Sequence, residues 1–269
     1  MVVAAAGRSI DATLVEALAD DLHRAERERR AIDRLTDRYP DLSIDDAYLI
    51  QAALLGRRVT EGERIVGAKL GFTSVAMREA MGVAEPNYGW LTSAMLLPDT
   101  RVPLGELIHP KAEQEIGFRL AGPLAGPDVT SADVFAATDA LFACLEIVDS
   151  RYKGFRFLAA DNIADDSSAG RVVVGPPVPV PSDIDLALVG IVLTVDGVLV
   201  ATAAGAAAHG HPAAAVAWLV RRLARVGRGL DAGMLVISGG LTRPFDIGAG
   251  TTMTVTIDRI GESTLVGHA

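Results

Sequence analysis

Residues 112–120 read Ala112-Glu113-Gln114-Glu115-Ile116-Gly117-Phe118-Arg119-Leu120. Successive side chains of a strand point to opposite faces, so this stretch predicts an apolar face opposite one that carries Glu113 and Glu115. The two carboxylates would lie about 7 Å apart, where they repel each other and can both reach one cation. A hard metal ion explains the pair, and a solvated strand face is the simpler alternative because Glu is mostly exposed.

A third acid, Glu146, interrupts an otherwise apolar run in Cys144-Leu145-Glu146-Ile147-Val148-Asp149. An unpaired charge is costly at such a position. A metal shared with the first two carboxylates would remove that cost, and so would an ion pair with Arg151; the pattern leaves both open. Three carboxylates with waters suit Mg²⁺ or Mn²⁺ better than Zn²⁺, which prefers His and Cys.

The rest of the chain predicts an α+β fold. The first sixty or so residues look helical, with leucines at helical spacing from Leu14 and a capping pair at Ser43 and Asp46. Further helices are predicted over 74–81, from about 130 to 142, and from Pro212. Short β-type runs occupy 64–69, 115–120, 145–149, 171–174, 186–195, 198–202, 234–238 and 253–258. We expect a helical N-terminal segment, 1–62, and a β-rich catalytic domain, 63–269.

Composition excludes several classes of function. Half of the 269 residues are hydrophobic, which is enough for a large core, and the net charge of −9 with scattered basic residues argues against nucleic-acid binding. The single cysteine, Cys144, lies in an apolar run and is predicted to be a small buried side chain. No apolar stretch approaches the roughly 20 residues that span a bilayer, so we expect a cytoplasmic protein without membrane contact.

Two other features have ordinary explanations. His209 and His211 flank Gly210 before Pro212, which indicates a helix start with a capping role more than a metal site. Lys69 ends a β run; alone it is a surface lysine, whereas beside a metal it would be a proton donor or a carboxylate anchor.

Four motifs taken together resemble the hydratase and decarboxylase branch of the fumarylacetoacetate hydrolase superfamily, which acts in meta-cleavage pathways of aromatic breakdown. They are Gly67-Ala68-Lys69-Leu70-Gly71-Phe72-Thr73-Ser74, Ile108-His109-Pro110-Lys111-Ala112-Glu113-Gln114-Glu115-Ile116, Glu146-Ile147-Val148-Asp149-Ser150-Arg151-Tyr152 and Ser238-Gly239-Gly240-Leu241-Thr242. The resemblance covers almost the whole chain and implies a mixed β-roll or sandwich main domain.

The resemblance also implies the site. It assigns Mg²⁺ or Mn²⁺ to Glu113, Glu115 and Glu146, and a catalytic or anchoring role to Lys69. It implies contacts to a small 2-oxo acid substrate from the segment that contains Leu70, Thr73 and Ser74, and from Thr242. A homo-oligomer is expected, and a complex with the sibling enzyme is a further possibility.

The motifs favour a 4-oxalocrotonate (2-oxo-3-hexenedioate) decarboxylase over a 2-oxopent-4-enoate hydratase. His109-Pro110-Lys111 and the segment after Ser150 look like the decarboxylases, and Asn87 stands where hydratases have an Asp that could act as acid or base. Glu85-Pro86 is nevertheless hydratase-like, and Asp166 stands where both siblings usually have Asn. A third hypothesis is a non-catalytic scaffold partner of the sibling enzyme, against which the intact acidic triad argues.

Overall fold

The computed structural model describes residues 10–269, which form helices and two β-sheets. The helices are α1 Ala12–Arg27, α2 Leu35–Arg38, α3 Ile44–Thr60, α4 Val75–Met81, α5 Ser131–Ala137, α6 Ala159–Ala164 and α7 Pro212–Ala224. The strands are β1 Ile65–Gly71, β2 Asn87–Thr92, β3 Arg101–Pro103, β4 Lys111–Leu120, β5 Thr138–Val148, β6 Ala169–Val174, β7 Val178–Pro179, β8 Gly190–Val195, β9 Val198–Ala204, β10 Leu235–Ile237, β11 Phe245–Asp246, β12 Thr252–Ile257 and β13 Gly261–His268.

The larger sheet has the order β2-β1-β10-β4-β5-β6, with β11 paired to β4 and β7 to β5. Its β1 and β10 are parallel, whereas β4 and β5 are antiparallel over their full length. The smaller sheet has the order β3-β13-β12-β8-β9. The main core contains apolar side chains from both sheets and from α7, including Phe118, Leu145, Leu193, Val216 and Val255. The two sheets and the helix therefore share one large hydrophobic interior.

The N-terminal helices have a second core of their own. Leu18 and Leu22 of α1 and Ile50 and Leu54 of α3 are fully buried there, together with Tyr152. Since Tyr152 follows β5, this core joins the helices to the β-rich part of the chain. The boundary at residues 62 and 63 stays a prediction.

The capping roles predicted for Ser43 with Asp46 and for the segment that contains His211 are confirmed. The Ser43 and Asp46 side chains form a reciprocal capping box at the start of α3, and Ser74 accepts a hydrogen bond from the Met77 amide at the start of α4. His211 caps α7 by accepting from the Ala213 amide, as expected for a helix start. Such interactions span two or three residues, so the sequence alone can specify them.

The helix predicted from 130 to 142 was wrong in its second half. The α5 helix ends at Ala137, and Thr138 already begins β5. Residues 140–148 are all buried and pair with β4. An apolar run that is buried on both faces has no periodicity that separates helix from strand, so strand pairing decided the outcome.

The strand predicted over 186–195 begins only at Gly190. It forms an antiparallel hairpin with β9, in which the turn residues Asp196 and Gly197 both have positive φ, at 50° and 77°. Among residues 10–269, no helix combines the length and the apolar character needed to cross a bilayer.

Candidate metal centre and substrate cavity

Three glutamates meet on the larger sheet because of the register between β4 and β5. Glu113 lies directly opposite Glu146, and Glu115 is two residues along the same face of β4. One carboxylate oxygen from each residue lies within 4.8 Å of the other two. The sequence predicted the alternation within β4, and strand pairing brings in the third carboxylate.

Few protein groups donate hydrogen bonds to the carboxylates of the triad. Glu115 Oε2 accepts a 2.7 Å hydrogen bond from the Gly239 amide. Glu115 Oε1 and both oxygens of Glu146 are buried without a hydrogen bond, although Lys69 Nζ lies 3.3 Å from Glu146 Oε2. Three oxygen ligands so close together, with unused lone pairs, fit a divalent cation such as Mg²⁺ or Mn²⁺.

The same crowding perturbs the acidity of the triad. Burial raises the pKa of Glu113 to about 7, although Lys69 opposes the shift. Burial and the charge of Glu146 raise the pKa of Glu115 well above 4.5, and burial also raises the pKa of Glu146. One ammonium group does not compensate three buried carboxylates, so bound positive charge would favour the ionised forms.

Lys69 lies beneath the triad at the end of β1 and is almost completely buried. Its ammonium group donates to the Ser167 carbonyl at 2.9 Å and to Ser167 Oγ at 3.3 Å, and it forms the ion pair with Glu146. Burial by itself would lower the pKa of Lys69, but the nearby carboxylates, Glu146 foremost, outweigh it and raise the pKa. Lys69 is therefore a fixed cation next to the triad.

Arg151 does not neutralise Glu146. It is buried and pairs with Asp165, and its remaining donors bind the carbonyls of Asp149, Asp165 and Ala169. The alternative that the sequence left open, an Arg151 partner for Glu146, is wrong.

A polar wall continues from Lys69. Ser167 Oγ donates to Asn87 Oδ1 at 3.0 Å, and the Asn87 amide donates to Asn162 Oδ1 at 2.8 Å. The Asn162 amide in turn donates to Ser168 Oγ at 3.0 Å. Gly71 permits this arrangement, because a Cβ there would lie 2.1 Å from Asn87 Oδ1.

A cavity of about 420 Å³ opens over Lys69 and Glu113. Most of its surface is apolar, and its charged lining residues among those described are Lys69, Glu113 and Arg243. The full lining is Lys69, Gly71, Phe72, Thr73, Ser74, Met77, Met81, Glu113, Val148, Phe155, Phe157, Asn162, Ser167, Ser168, Gly240, Leu241, Thr242, Arg243 and Pro244. Its size suits a small acid.

The residues predicted from the sequence divide into three groups. Lys69, Thr73, Ser74, Glu113 and Thr242 line the cavity, and Glu115 and Glu146 lie buried beside Glu113. The Leu70 side chain instead belongs to the main core, and Leu70 is not among the residues that line the cavity.

Sequence reasoning missed the aromatic pair Phe155 and Phe157, the amide of Asn162 and the cation of Arg243. Each reaches the cavity from a different loop or short helix. Only their positions next to recognised motifs could have indicated them.

Proteins of known activity share this sequence and architecture. A 2-hydroxypent-2,4-dienoate hydratase from Pseudomonas putida is 42% identical over 220 residues, which is 81% of this chain and 99% of the relative. A 4-oxalocrotonate decarboxylase from Pseudomonas sp. strain CF600 is 38% identical over 249 residues, 92% of this chain and 94% of the relative. The chain belongs to the 4-oxalocrotonate decarboxylase and 2-hydroxypentadienoate hydratase family. Members of this family are lyases, as both names imply.

Solved structures of this family agree with the fold. The 4-oxalocrotonate decarboxylase of Pseudomonas putida G7, complexed with magnesium and adipate, superimposes with a TM-score of 0.93 at 35% identity, covering 97% of this chain and 99% of that one. A fumarylacetoacetate hydrolase family protein from Yersinia pestis CO92 shares the fold alone, with a TM-score of 0.57 at 12% identity over 76% of this chain and 94% of that one. The predicted fumarylacetoacetate hydrolase-like α+β fold is confirmed. No protein-family model matches the chain.

Proposed function

We propose that this lyase decarboxylates 2-oxo-3-hexenedioate (4-oxalocrotonate) to 2-hydroxypenta-2,4-dienoate. Glu113, Glu115 and Glu146 would hold Mg²⁺ or Mn²⁺, the ion class that suits three carboxylates lacking hydrogen-bond donors. When bound, such an ion supplies a Lewis acid that stabilises negative charge on the 2-oxo group of the substrate.

The chain's own residues would place and polarise the substrate. The hydroxyls of Thr73, Ser74 and Thr242 would bind the 2-oxo acid end. The C5–C6 bond then breaks, CO₂ leaves, and the electron pair passes through the C3–C4 alkene into the 2-oxo group. Lys69, held as a cation at this end, would stabilise the dienolate and protonate its oxygen.

The absence of a spare base is the observation that carries the choice of reaction. Among the described residues that line the cavity, the only carboxylate is Glu113, and no histidine is present. Asn87 is buried and both ends of its amide are hydrogen-bonded. Adding water to a dienol needs a group that activates water, whereas loss of CO₂ needs an electron sink and a place for the departing anion.

Arg243 supplies positive charge for that anion. It lines the cavity, and its guanidinium carbon lies 4.2 Å from the centroid of the Phe245 ring. The mostly apolar lining, including Phe155 and Phe157, would keep water away from the distal carboxylate while it leaves.

The deciding experiment supplies 2-oxo-3-hexenedioate and 2-hydroxypenta-2,4-dienoate separately, each with Mg²⁺ and with a chelator. Release of CO₂ from the first, lost with chelator, is the expected result. Hydration of the second substrate without decarboxylation of the first would instead establish the hydratase alternative, which the 42% identical relative favours.

The scaffold alternative is tested by metal binding. The purified chain should bind Mg²⁺ or Mn²⁺ by calorimetry, and Glu115→Gln should weaken that binding. If neither ion binds the unmodified chain and it turns over neither substrate, a non-catalytic partner of the sibling enzyme becomes the better explanation.

The homo-oligomer, the complex with a sibling hydratase and the cytoplasmic location stay predictions. Leu188, Val198 and Leu199 are exposed by 78%, 65% and 59% near the β9 edge of the smaller sheet, and they are candidates for subunit contacts. Light scattering of the purified chain, alone and mixed with the hydratase, would measure both kinds of assembly.

A further inference from the structure

An unusual turn holds Lys69. Asp166, Ser167 and Ser168 are consecutive, buried, and all have positive φ, at 52°, 54° and 57°. Residues with a Cβ rarely adopt this left-handed region, and three in a row are strained unless their surroundings fix them. In this conformation the turn directs both the carbonyl and the hydroxyl of Ser167 to the Lys69 ammonium group.

The Asp166 side chain holds the turn in place through two hydrogen bonds. One of its carboxylate oxygens accepts from the Trp90 amide at 2.8 Å, and the other accepts from Arg58 at 2.8 Å. The neighbouring strand β2 comes so close that a Cβ on Gly89 would lie 2.3 Å from the Asp166 carbonyl oxygen. The turn is therefore clamped between a strand and an arginine.

Arg58 links the clamp to the N-terminal helices. It belongs to α3, is 2% exposed, and also donates to Glu26 of α1 at 2.9 Å. A buried arginine that donates to two carboxylates has a defined position. The path from α1 to Lys69 thus passes through Glu26, Arg58, Asp166 and Ser167.

We propose that Asp166 and Arg58 are positioning residues that set the catalytic geometry of Lys69 through the Ser167 turn. The N-terminal helical segment is then part of the catalytic unit. This inference rests on the proposed role of Lys69. Asp tolerates the left-handed conformation better than most residues, and here its carboxylate also pairs with Arg58.

The test compares Asp166→Ala with Asp166→Asn. Alanine removes both hydrogen bonds and disfavours the turn, so kcat for decarboxylation should fall about 10- to 100-fold, with KM and Mg²⁺ affinity changed less than about threefold. Asparagine keeps the acceptor for Trp90 and the left-handed preference but presents an NH2 group to Arg58, so its kcat should lie between those of Asp166→Ala and the unmodified enzyme. Circular dichroism confirms that each variant is folded.

Arg58→Met leaves the buried Asp166 carboxylate without its cationic partner, and the additional substitution Asp166→Asn removes that uncompensated charge. We therefore expect Arg58→Met to lower kcat and the double variant to recover much of the loss. Arg57→Met is the matched control: Arg57 also joins α3 to α1, through Asp20 and Glu16, but does not contact the turn. Its kcat should be unchanged.

A cycle with Lys69→Met separates positioning from general damage. Asp166→Ala should cost little further activity in the Lys69→Met background. Equal losses in both backgrounds, or full activity of Asp166→Ala alone, would overturn the inference. If Lys69→Met itself keeps full activity, the proposed role of Lys69 fails first, and that result is distinguishable from failure of the clamp.

Discussion

Two groups of buried charged side chains lie side by side in this enzyme, and they differ in how fully hydrogen bonds and ion pairs compensate their charges. Beneath the helices, Arg58 and Arg151 meet Glu26, Asp165 and Asp166, and each arginine donates to carboxylates or carbonyls. On the larger sheet, Glu113, Glu115 and Glu146 share one ammonium group, and several carboxylate oxygens have no donor.

The difference separates structural from functional charge. Burying a charge is costly unless partners replace its water, so the satisfied arginine cluster can hold the fold on its own. The described protein groups around the acidic triad leave several of its carboxylate oxygens without a donor. A bound cation would supply the missing positive charge, so we propose that this incomplete group is the metal centre.

The largest expected effect is on activity, from Glu115→Gln. Removing one of the three carboxylates should lower kcat about 1000-fold, since a Lewis acid supplies several kcal/mol to the transition state. The metal-free variant should also melt at a higher temperature than the unmodified protein, because one buried repulsive charge is gone. Glu262→Gln, on an exposed strand position, is the control for both assays. A variant of Glu115 with full activity would contradict the metal-centre assignment.

Arg151→Met should produce the largest loss of stability. It leaves Asp165 buried without its partner, and removal of one member of such a pair costs about 3–5 kcal/mol in the free energy of unfolding. Urea denaturation measures the change. Arg119→Met breaks an exposed ion pair with Asp139 and should leave stability nearly unchanged. Equal effects of the two substitutions would show that the arginine cluster is not structural.

The pH dependence of stability should distinguish the two groups as well. The pKa of Glu113 is raised to about 7 in the folded protein, above its ordinary 4.5, so its ionisation costs stability as the pH rises between those values. The metal-free protein should therefore lose more stability from about pH 5 to pH 7.5 than Glu113→Gln. Saturating Mg²⁺ should reverse this loss, as thermal melts would show. Indistinguishable pH profiles of the unmodified protein and Glu113→Gln would contradict the raised pKa.

Arg243→Met should have the smallest effect. Arg243 is exposed, so its charge is partly screened, and the KM for 2-oxo-3-hexenedioate should rise only about three- to tenfold. Binding of pyruvate, which has no distal carboxylate, should not change. Arg225→Met, an exposed arginine outside this cavity, is the control. If pyruvate binding weakens as much as dioate binding, Arg243 does not recognise the distal anion.

Short-range sequence patterns determined much of the local structure of this protein. The alternation in residues 112–120 placed Glu113 and Glu115 on one face, and the capping signals at Ser43 and His211 marked helix starts. These features depend on residues two to four positions apart, whose geometry is set by the local backbone.

Only the tertiary structure decided how those pieces combine. The β4–β5 register set Glu146 opposite Glu113, and Arg151 turned to Asp165 instead. Pairing with β4 made a strand of residues 138–142, and the Arg58–Asp166 contact joins residues 108 positions apart. Strand register and buried ion pairs depend on which distant segments meet and how much water they exclude, and no local pattern contains that information.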